Sequence, residues 1–184
     1  FIGSNFINIM VKKYPQYNFY NLDAMYYCAS HDNIESTVKE YPSYNFIEGN
    51  LRSSDLIKHI LYTNDIDTIV NFAAQSHVDN SFSTPLQYTL DNILGTHTLL
   101  EETRKYHNKT NNFKLFIHVS TDEVYGETST IEPNTETSVL CPTNPYAATK
   151  AGAELIVQSY YHSFKMPIII TRGNNVYGPN QYPE

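Results

Sequence analysis

The sequence predicts an α/β fold, a doubly wound parallel sheet. Apolar runs typical of strands alternate with helix-like runs from one end of the chain to the other, and this order favours a parallel sheet with helices on both faces. Polar side chains follow two of the apolar runs directly, as they do where buried strands end. With 184 residues, the chain is long enough for one well-buried domain and too short for two full ones.

Each predicted element carries a local signal. Strand-like apolar runs occupy residues 18–22, 44–48, 68–74, 115–120 and 167–172, and helical patterns occupy residues 5–13, 54–62, 86–106 and 145–164. Residues 128–143 are polar and include Pro133 and Pro142, which predicts a loop over the site. A helix begins almost at once after Phe1, so this Rossmann-like sheet is expected to lack its first, central strand. Residues 178–184 have the composition of a loop, and the chain is expected to be incomplete at both ends.

The composition narrows the classes of partner. The formal net charge is -7 and the pI is near 5.4, with no cluster of lysine or arginine that could neutralise phosphates, which argues against nucleic acid. The two cysteines, Cys28 and Cys141, form no CxxC motif, and no apolar run approaches 18 residues. We therefore expect a soluble, cytoplasmic protein with reduced thiols, no membrane contact and small-molecule ligands.

Two segments in the second half of the chain together predict an active site. Residues 119–126 pass from a strand-like run into Thr121, Asp122 and Glu123, and a Tyr-x-x-x-Lys motif follows at Tyr146 and Lys150. A tyrosine base at neutral pH needs its pKa lowered by about 3, or roughly 4 kcal/mol, which a neighbouring ammonium can supply. Either motif alone also fits a plain amphipathic helix or an ordinary turn.

The residues before the tyrosine predict where its helix starts. Either Thr143 or Asn144 can serve as the N-cap, and Pro145 suits the first helical position. Tyr146 is therefore expected in the first turn, at the mouth of the sheet.

A dinucleotide site is indicated near the start of the chain. Gly3 opens a helix and Asp23 ends the next strand twenty residues later, which matches the last glycine of a dinucleotide fingerprint and its ribose-binding carboxylate. Asp23 could instead be a turn residue. A carboxylate there repels a 2′-phosphate, and residues 21–30 contain no Arg or Lys, so NAD is favoured over NADP.

A second cluster follows the strand predicted at residues 68–74. Small residues such as Ala73 and Ala74 let a flat ligand approach the backbone, although close helix packing would select them equally. His77 and Asp79 could suggest a metal, but the other histidines are scattered without the spacing of metal ligands, so no metal site is expected.

Together these segments resemble the extended short-chain dehydrogenase/reductase family, and within it the nucleotide-sugar 4,6-dehydratases. The Tyr-x-x-x-Lys motif marks the superfamily only, whereas Thr-Asp-Glu is more specific, because related 4-epimerases carry small or hydroxyl residues at the positions of Asp122 and Glu123. The resemblance covers essentially the whole chain and includes residues 1–4, 21–23, 73–79, 92–96, 120–126, 146–150 and 175–179.

The resemblance implies an NAD-dependent lyase of rhamnose-type biosynthesis that converts dTDP-glucose or UDP-glucose to the 4-keto-6-deoxy sugar nucleotide. Tyr146 would take the proton of the sugar 4-hydroxyl, while Lys150 lowers the tyrosine pKa and holds the nicotinamide ribose. Glu123 would remove the C5 proton, Asp122 would protonate the departing 6-hydroxyl, and Thr121 would bind the 4-hydroxyl. One of two adjacent carboxyl groups can be protonated while the other is ionised, which suits this chemistry.

The resemblance also implies the ligand contacts and the domains. The cofactor would contact Phe1, Ile2, Gly3, Asp23, Ala24, Met25, Tyr26, Asn50, Leu51, Phe72, Ala73, Ala74, Gln75, Ser76, Asp91, Tyr146, Lys150 and Val176. The substrate would contact Ser76, Thr121, Asp122, Glu123, Asn175 and Glu184. Residues 1–172 would form the NAD-binding domain and residues 173–184 would begin the substrate-binding region. The complete protein would be a homodimer, and the 184 residues alone are expected to show little turnover.

Some positions depart from the family pattern, and two alternatives stay open. Asn50 replaces the usual Asp against the adenine amino group, but an amide carbonyl can accept the same hydrogen bond. Asp91 replaces a usual Thr, which would disfavour the pyrophosphate unless the carboxylate points away. A nucleotide-sugar 4-epimerase would need Tyr146 and Lys150 but not the two carboxylates. A catalytically silent NAD-binding relative would be expected to lack the tyrosine or the lysine.

Overall fold

Helices and parallel strands alternate along the chain in the computed structural model, which describes residues 1–127 and 133–183. Every strand pair in it is parallel. The chain divides into two compact units, one formed by residues 1–50 with the segment from Val176 onward, the other by Leu51–Asn175. Among the described residues, no helix combines the length and the apolar character that crossing a membrane requires.

The first unit contains a two-stranded sheet. Its elements are α1 (Ile2–Lys13), β1 (Phe19–Asp23), α2 (Ser36–Lys39) and β2 (Tyr44–Glu48), and a short 3₁₀ turn (His31–Asn33) precedes α2. β1 and β2 pair along their full lengths, so that Asp23 and Glu48 lie side by side at their carboxyl ends. The core of this unit is built on three buried side chains, Val11, Ile34 and Val38.

The second unit contains a three-stranded sheet with the order β3-β4-β5. Its elements are α3 (Ser54–Thr63), β3 (Thr68–Asn71), α4 (Val78–Ser83), α5 (Pro85–Tyr88), α6 (Gly95–Thr110), β4 (Leu115–Thr121), α7 (Pro145–Phe164) and β5 (Ile168–Gly173). A π-helical stretch (Thr89–Leu94) joins α5 to α6, and a 3₁₀ turn (Asp122–Tyr125) follows β4 directly.

The strand β4 positions the site. Its burial alternates, with Phe116, His118 and Ser120 buried and the residues between them half-buried. This alternation follows from the two-residue period of a strand. Its last residue, Thr121, pairs with Gly173 of β5, so the polar run that follows β4 leaves the sheet at the carboxyl ends of its strands.

The predicted alternation of strands and helices is confirmed, and the differences have local causes. The third strand ends at Asn71 rather than residue 74, because the Asn71 side chain accepts the Ala73 N–H at 3.2 Å and turns the chain away. The first helix begins at Ile2 rather than residue 5. The helices α2 and α4 were not predicted, since four and six residues are too few to show a helical period. In the predicted loop, residues 133–143 carry no helix or strand, and residues 128–132 lie outside the described part.

Candidate active site

The start of α7 is set by a side-chain cap. Asn144 lies before the helix, and its Oδ1 accepts the Ala147 N–H at 2.8 Å, with Pro145 at the first helical position. Of the two predicted caps, the structure therefore uses Asn144. Tyr146 is in the first turn as predicted, and it and Lys150 are only 8% and 5% exposed. The two side chains of the motif are thus both buried on the inner side of one helix.

The carboxylates follow β4 on the 3₁₀ turn. The Thr121 Oγ1 accepts the Glu123 N–H at 3.3 Å and lies 3.3 Å from Asp122 Oδ1, to which it can donate. The amide nitrogen of Asn144 donates to Glu123 Oε2 at 3.1 Å. Because the cap with Ala147 occupies the Asn144 oxygen, its nitrogen must face the carboxylate. Glu123 is therefore attached to the start of the helix that carries Tyr146, a contact that sequence reasoning did not predict.

The electrostatics of Tyr146 differ from the expectation that Lys150 lowers its pKa. Burial raises the pKa of Tyr146 to about 12; a hydrogen bond with Thr121 opposes this rise, and the nearby charges of Glu123 and Asp122 add to it. Lys150 is not among the causes of this shift. Burial at the head of α7 thus dominates the pKa of Tyr146 in the protein alone, and the lowering of this pKa by Lys150 stays a prediction.

Lys150 is held by the backbone of the central strand. Its Nζ donates to the Val119 carbonyl oxygen at 2.6 Å. Burial lowers the pKa of Lys150 to about 8, and Glu154 opposes this change. The ammonium therefore keeps most of its charge at pH 7. An ammonium has three N–H donors, so the bond to Val119 leaves capacity for hydroxyl groups of a bound ligand.

The loop after β3 is held in place by hydrogen bonds from the side chain of Asn92. Asn92, in the π-helical stretch, accepts the Gln75 N–H at 2.7 Å and donates to the Gln75 carbonyl at 3.0 Å. Its amide also donates to Thr149 Oγ1 on α7 at 2.9 Å. This fixes the backbone of the segment 72–76, which the resemblance assigns to NAD. Asn92 was not predicted to have this role, although it lies within the motif at residues 92–96.

The charge of Asp91 is compensated within the protein. Its Oδ2 accepts from the amides of Gln75 at 2.9 Å and Gln87 at 2.8 Å, and its Oδ1 lies 3.6 Å from Arg52 Nε. The Asp91 side chain is only 9% exposed. An acid at this position therefore need not repel a pyrophosphate, because two amides and a guanidinium already surround it. Its contact with the cofactor stays a prediction.

Apart from Leu51, the remaining predicted cofactor residues lie in the first unit, where two segments can be described. At the start of α1, the Phe1 carbonyl accepts from Asn5 N and Ser4 Oγ, at 3.1 and 2.7 Å. Asp23 is exposed at the carboxyl end of β1, and its Oδ1 accepts the Met25 N–H at 2.8 Å. A carboxylate offers about four acceptor positions, so Asp23 can still accept from ribose hydroxyls, which fits the predicted NAD site.

Asn50, predicted to contact the adenine, donates through Nδ2 to the Tyr26 hydroxyl at 2.7 Å. Of the predicted ligand residues near the end of the chain, Asn175 and Val176 are exposed, and Glu184 lies outside the described residues. His77, considered as a metal ligand, caps α4 by accepting the Asn80 N–H at 3.1 Å.

Asp122 and Glu123 also line a cleft of about 780 Å³ in the second unit. Its remaining walls come from the end of the 3₁₀ turn, the loop before α7, α7 itself and β5: Tyr125, Gly126, Asn134, Thr135, Glu136, Gln158, Ile170, Thr171, Arg172 and Asn174.

Gly126 ends the turn that carries the carboxylates, and we expect Gly126→Ala to destabilise the protein. Its φ of 78° lies in the region that favours glycine, and an added Cβ would stand 2.0 Å from the Cys141 carbonyl oxygen. Backbone strain alone should cost about 1–3 kcal/mol, and the clash adds to it. Denaturant unfolding would measure the loss. Gly173→Ala is the matched control, since its Cβ would meet nothing within 4 Å; equal stability of the two variants would contradict this account.

His118 should make the protein sensitive to acid. It is buried in β4, and burial, with Lys150 as the second cause, lowers its pKa to about 3. Between about pH 6.5 and 3 the unfolded chain binds a proton that the native state does not, so stability falls as the pH falls through this window, by up to about 4–5 kcal/mol. His118→Asn should flatten the slope of unfolding free energy between about pH 6.5 and 4.5, whereas exposed His162→Asn should not. An unchanged slope in His118→Asn would contradict the assignment.

Comparison with known proteins shows that this chain is similar to sugar-nucleotide enzymes. The family model described as GDP-mannose 4,6 dehydratase matches residues 1–184. A trifunctional UDP-glucose 4,6-dehydratase, 3,5-epimerase and reductase of Arabidopsis thaliana is 50% identical over the whole chain, which covers 27% of that protein. The structure of a dTDP-glucose 4,6-dehydratase from Streptomyces venezuelae with NAD bound shares 36% identity over 99% of this chain and 55% of its own, with a TM-score of 0.90.

An epimerase is also similar in fold, at lower identity. The UDP-glucose 4-epimerase of Thermotoga maritima shares 26% identity over 99% of this chain and 55% of its own, with a TM-score of 0.86. The chain thus spans about a quarter to a half of the length of the proteins that it matches.

Proposed function

The chain belongs to the GDP-mannose 4,6-dehydratase family, and from this premise we propose that the protein containing it is a nucleotide-sugar 4,6-dehydratase acting on dTDP-glucose or UDP-glucose. One observation carries the proposal. Asn144, at the start of the helix whose first turn carries the buried Tyr146, donates to Glu123 Oε2 at 3.1 Å, and the charges of Glu123 and Asp122 both add to the rise in the Tyr146 pKa that burial causes. A proton acceptor for a sugar hydroxyl and a carboxyl pair thus belong to one site.

The proposed reaction assigns one proton to each group. Tyr146 takes the proton of the sugar 4-hydroxyl, which Thr121 orients. The resulting ketone makes the C5 proton acidic, and Glu123 removes it. Asp122 gives a proton to the departing 6-hydroxyl, which leaves as water. The hydrogen bond from Asn144 supports the role of Glu123 as the base, since it holds this carboxylate at the start of the helix that carries Tyr146.

The proposed cofactor is NAD. When bound, it would supply the hydride acceptor at C4, the donor at C6 and a positive ring charge near the tyrosine. Lys150 would hold a ribose with the donors that it does not give to Val119, and Asp23 would accept from the other ribose. The backbone of residues 72–76, anchored by Asn92, would support the nicotinamide half. We also propose residues 1–172 as the NAD-binding domain and 173–184 as the start of the substrate-binding region.

We further propose a cytoplasmic homodimer. Several large apolar side chains of the second unit are exposed and could pack against a second copy: Phe82, Leu86, Leu94 and Leu155. Cys28 and Cys141 do not form a disulfide with each other, which agrees with a reducing compartment.

The second candidate function is sugar 4-epimerisation on the same fold, as in the Thermotoga enzyme. This reaction would use Tyr146 and Lys150, and Asp122 and Glu123 would have no role in it. The hydrogen bond that holds Glu123 at the head of α7 favours the dehydratase, because an epimerase has no use for a positioned carboxylate at C5.

The test uses the full-length protein with NAD present and one sugar nucleotide in each assay: dTDP-glucose, UDP-glucose or GDP-mannose. We expect a 4-keto-6-deoxy product, identified by NMR, from one of the two glucose nucleotides, with no net consumption of NAD. Formation of the galactose epimer without loss of water would establish the epimerase instead. No turnover of any of these sugars would overturn the proposal.

A further inference from the structure

Arg172 of β5 connects two parts of the candidate site. Its Nε lies 3.0 and 3.2 Å from the two carboxylate oxygens of Glu154, and its Nη2 lies 2.5 Å from one of them. On the other side, its Nη1 donates to the Tyr125 hydroxyl at 2.6 Å and to the Glu136 carbonyl at 3.1 Å. The guanidinium thus bonds in two directions at once.

The first direction leads to the helix of the catalytic tyrosine. Glu154 is on α7, one helical turn beyond Lys150, and is fully buried. A buried carboxylate without a partner is strongly unfavourable, so the fork-shaped contact with Arg172 is retained as long as α7 is packed. Gln158 adds a hydrogen bond to the same carboxylate at 3.0 Å. The position of Arg172 is therefore fixed relative to α7.

The second direction leads to the turn of the carboxylates. Tyr125 is the last residue of the 3₁₀ turn that carries Asp122 and Glu123. Its ring lies beneath the guanidinium, 4.9 Å from Cζ to the ring centroid, and its hydroxyl donates to the Thr135 carbonyl at 2.9 Å. The turn is thus held at its far end by Arg172, and at Glu123 by Asn144.

We propose that Arg172 and Tyr125 are positioning residues that hold the Asp122–Glu123 turn in place against α7, and that the elimination of water depends on them more than the first oxidation does. The proposal rests on the proposed function. Tyr146 and Lys150 are on α7 itself and do not need the turn for their placement. Asp122 and Glu123 are on the turn, and a displacement of about 1 Å can slow a reaction about a hundredfold.

Tyr125→Phe is the central test in the full-length protein. It keeps the ring beneath the guanidinium and the pair between Arg172 and Glu154, and removes only the hydroxyl that joins them to the turn. We expect the oxidation burst, followed by NADH absorbance, to stay within about twofold of the wild type. The elimination, followed by loss of the C5 hydrogen to solvent in NMR, should slow by about 10- to 100-fold, with little change in KM.

Two further variants control this test. Tyr161→Phe removes a hydroxyl from an exposed tyrosine of α7 and should behave as wild type. Arg172→Lys keeps a positive charge for Glu154 but lacks the planar fork that reaches Glu154 on one side and the Tyr125 hydroxyl on the other, so it should slow elimination at least as much as Tyr125→Phe does. Wild-type elimination in Tyr125→Phe, or an equal slowing of oxidation and elimination, would overturn the proposal.

A measurement without substrate separates this proposal from the proposed function. Amide hydrogen exchange of the segment 122–126 should be faster in Tyr125→Phe than in the wild type, while exchange in the α7 segment 150–160 should not change. If the wild-type protein forms no 4-keto-6-deoxy sugar, the proposed function fails, and this exchange still decides whether Tyr125 holds the turn. Unchanged exchange at the turn would reject the positioning role by itself.

Discussion

Replacing Tyr146 by phenylalanine is expected to slow the first oxidation of the sugar at least about a hundredfold in the full-length protein. The ring and its packing remain, whereas the hydroxyl that would take the proton of the sugar 4-hydroxyl is lost. Binding of NAD should persist, because Lys150 and Asp23, the groups proposed to hold the riboses, are unchanged. The burst of NADH absorbance after rapid mixing with sugar nucleotide measures this step directly.

The pKa of Tyr146 sharpens this expectation. At about 12 in the protein alone, it leaves the phenolate roughly 7 kcal/mol above the phenol at pH 7. Bound ligands must therefore lower this pKa. The ammonium of Lys150, one helical turn further along α7, can contribute to this, because a positive charge stabilises the phenolate. In the ternary complex, the oxidation rate should rise with pH and level off well below pH 12, and Lys150→Met should move that rise to higher pH.

A matched tyrosine on the same helix provides the control. Tyr160 is also buried, and its hydroxyl donates to Glu101 at 3.0 Å, away from the site. Tyr160→Phe should lose about 1 kcal/mol of stability and keep its oxidation rate. If Tyr146→Phe oxidised the sugar as fast as Tyr160→Phe, the assignment of this chain as a tyrosine-dependent dehydratase would be wrong.

Glu123→Gln should retain the oxidation and stop the elimination, with a loss of about 10²- to 10⁴-fold in product formation. The amide has the shape of the carboxylate, and its oxygen can still accept the hydrogen bond from Asn144, so the turn should stay in place. What disappears is the base for the C5 proton. Enzyme-bound NADH should then accumulate in single turnover, together with the 4-keto sugar that keeps its 6-hydroxyl.

Glu127→Gln serves as the control for this variant. Glu127 is exposed, four residues further along the same segment, and has no role in the proposed reaction. It should form product at the wild-type rate. Product formation by Glu123→Gln at that same rate would remove Glu123 from the mechanism, and a loss of the NADH burst would assign it to the first step instead.

Local features were predictable because they depend on neighbours in sequence. The start of α7 follows from Asn144 and Pro145, whose capping preferences act within one turn. The run of apolar residues in β4 and the polar residues after it gave the strand and its end to within one residue. The departures were also local in kind: the Asn71 side chain accepts the N–H of Ala73 two residues on, and this hydrogen bond competes with the strand and shortens β3.

The sequence by itself determined the α/β class, the parallel pairing, the family and the groups proposed for the chemistry, because these depend on periodicity and on motifs within short segments. The tertiary structure alone decided the direction of the Tyr146 pKa, the partner of Glu123 and the role of Arg172. Burial and hydrogen bonds between distant segments set these properties: Glu123 and Asn144 are 21 residues apart, and Tyr125 and Arg172 are 47 apart. No pattern in a single segment encodes which of them meet, since that depends on how the strands and helices pack.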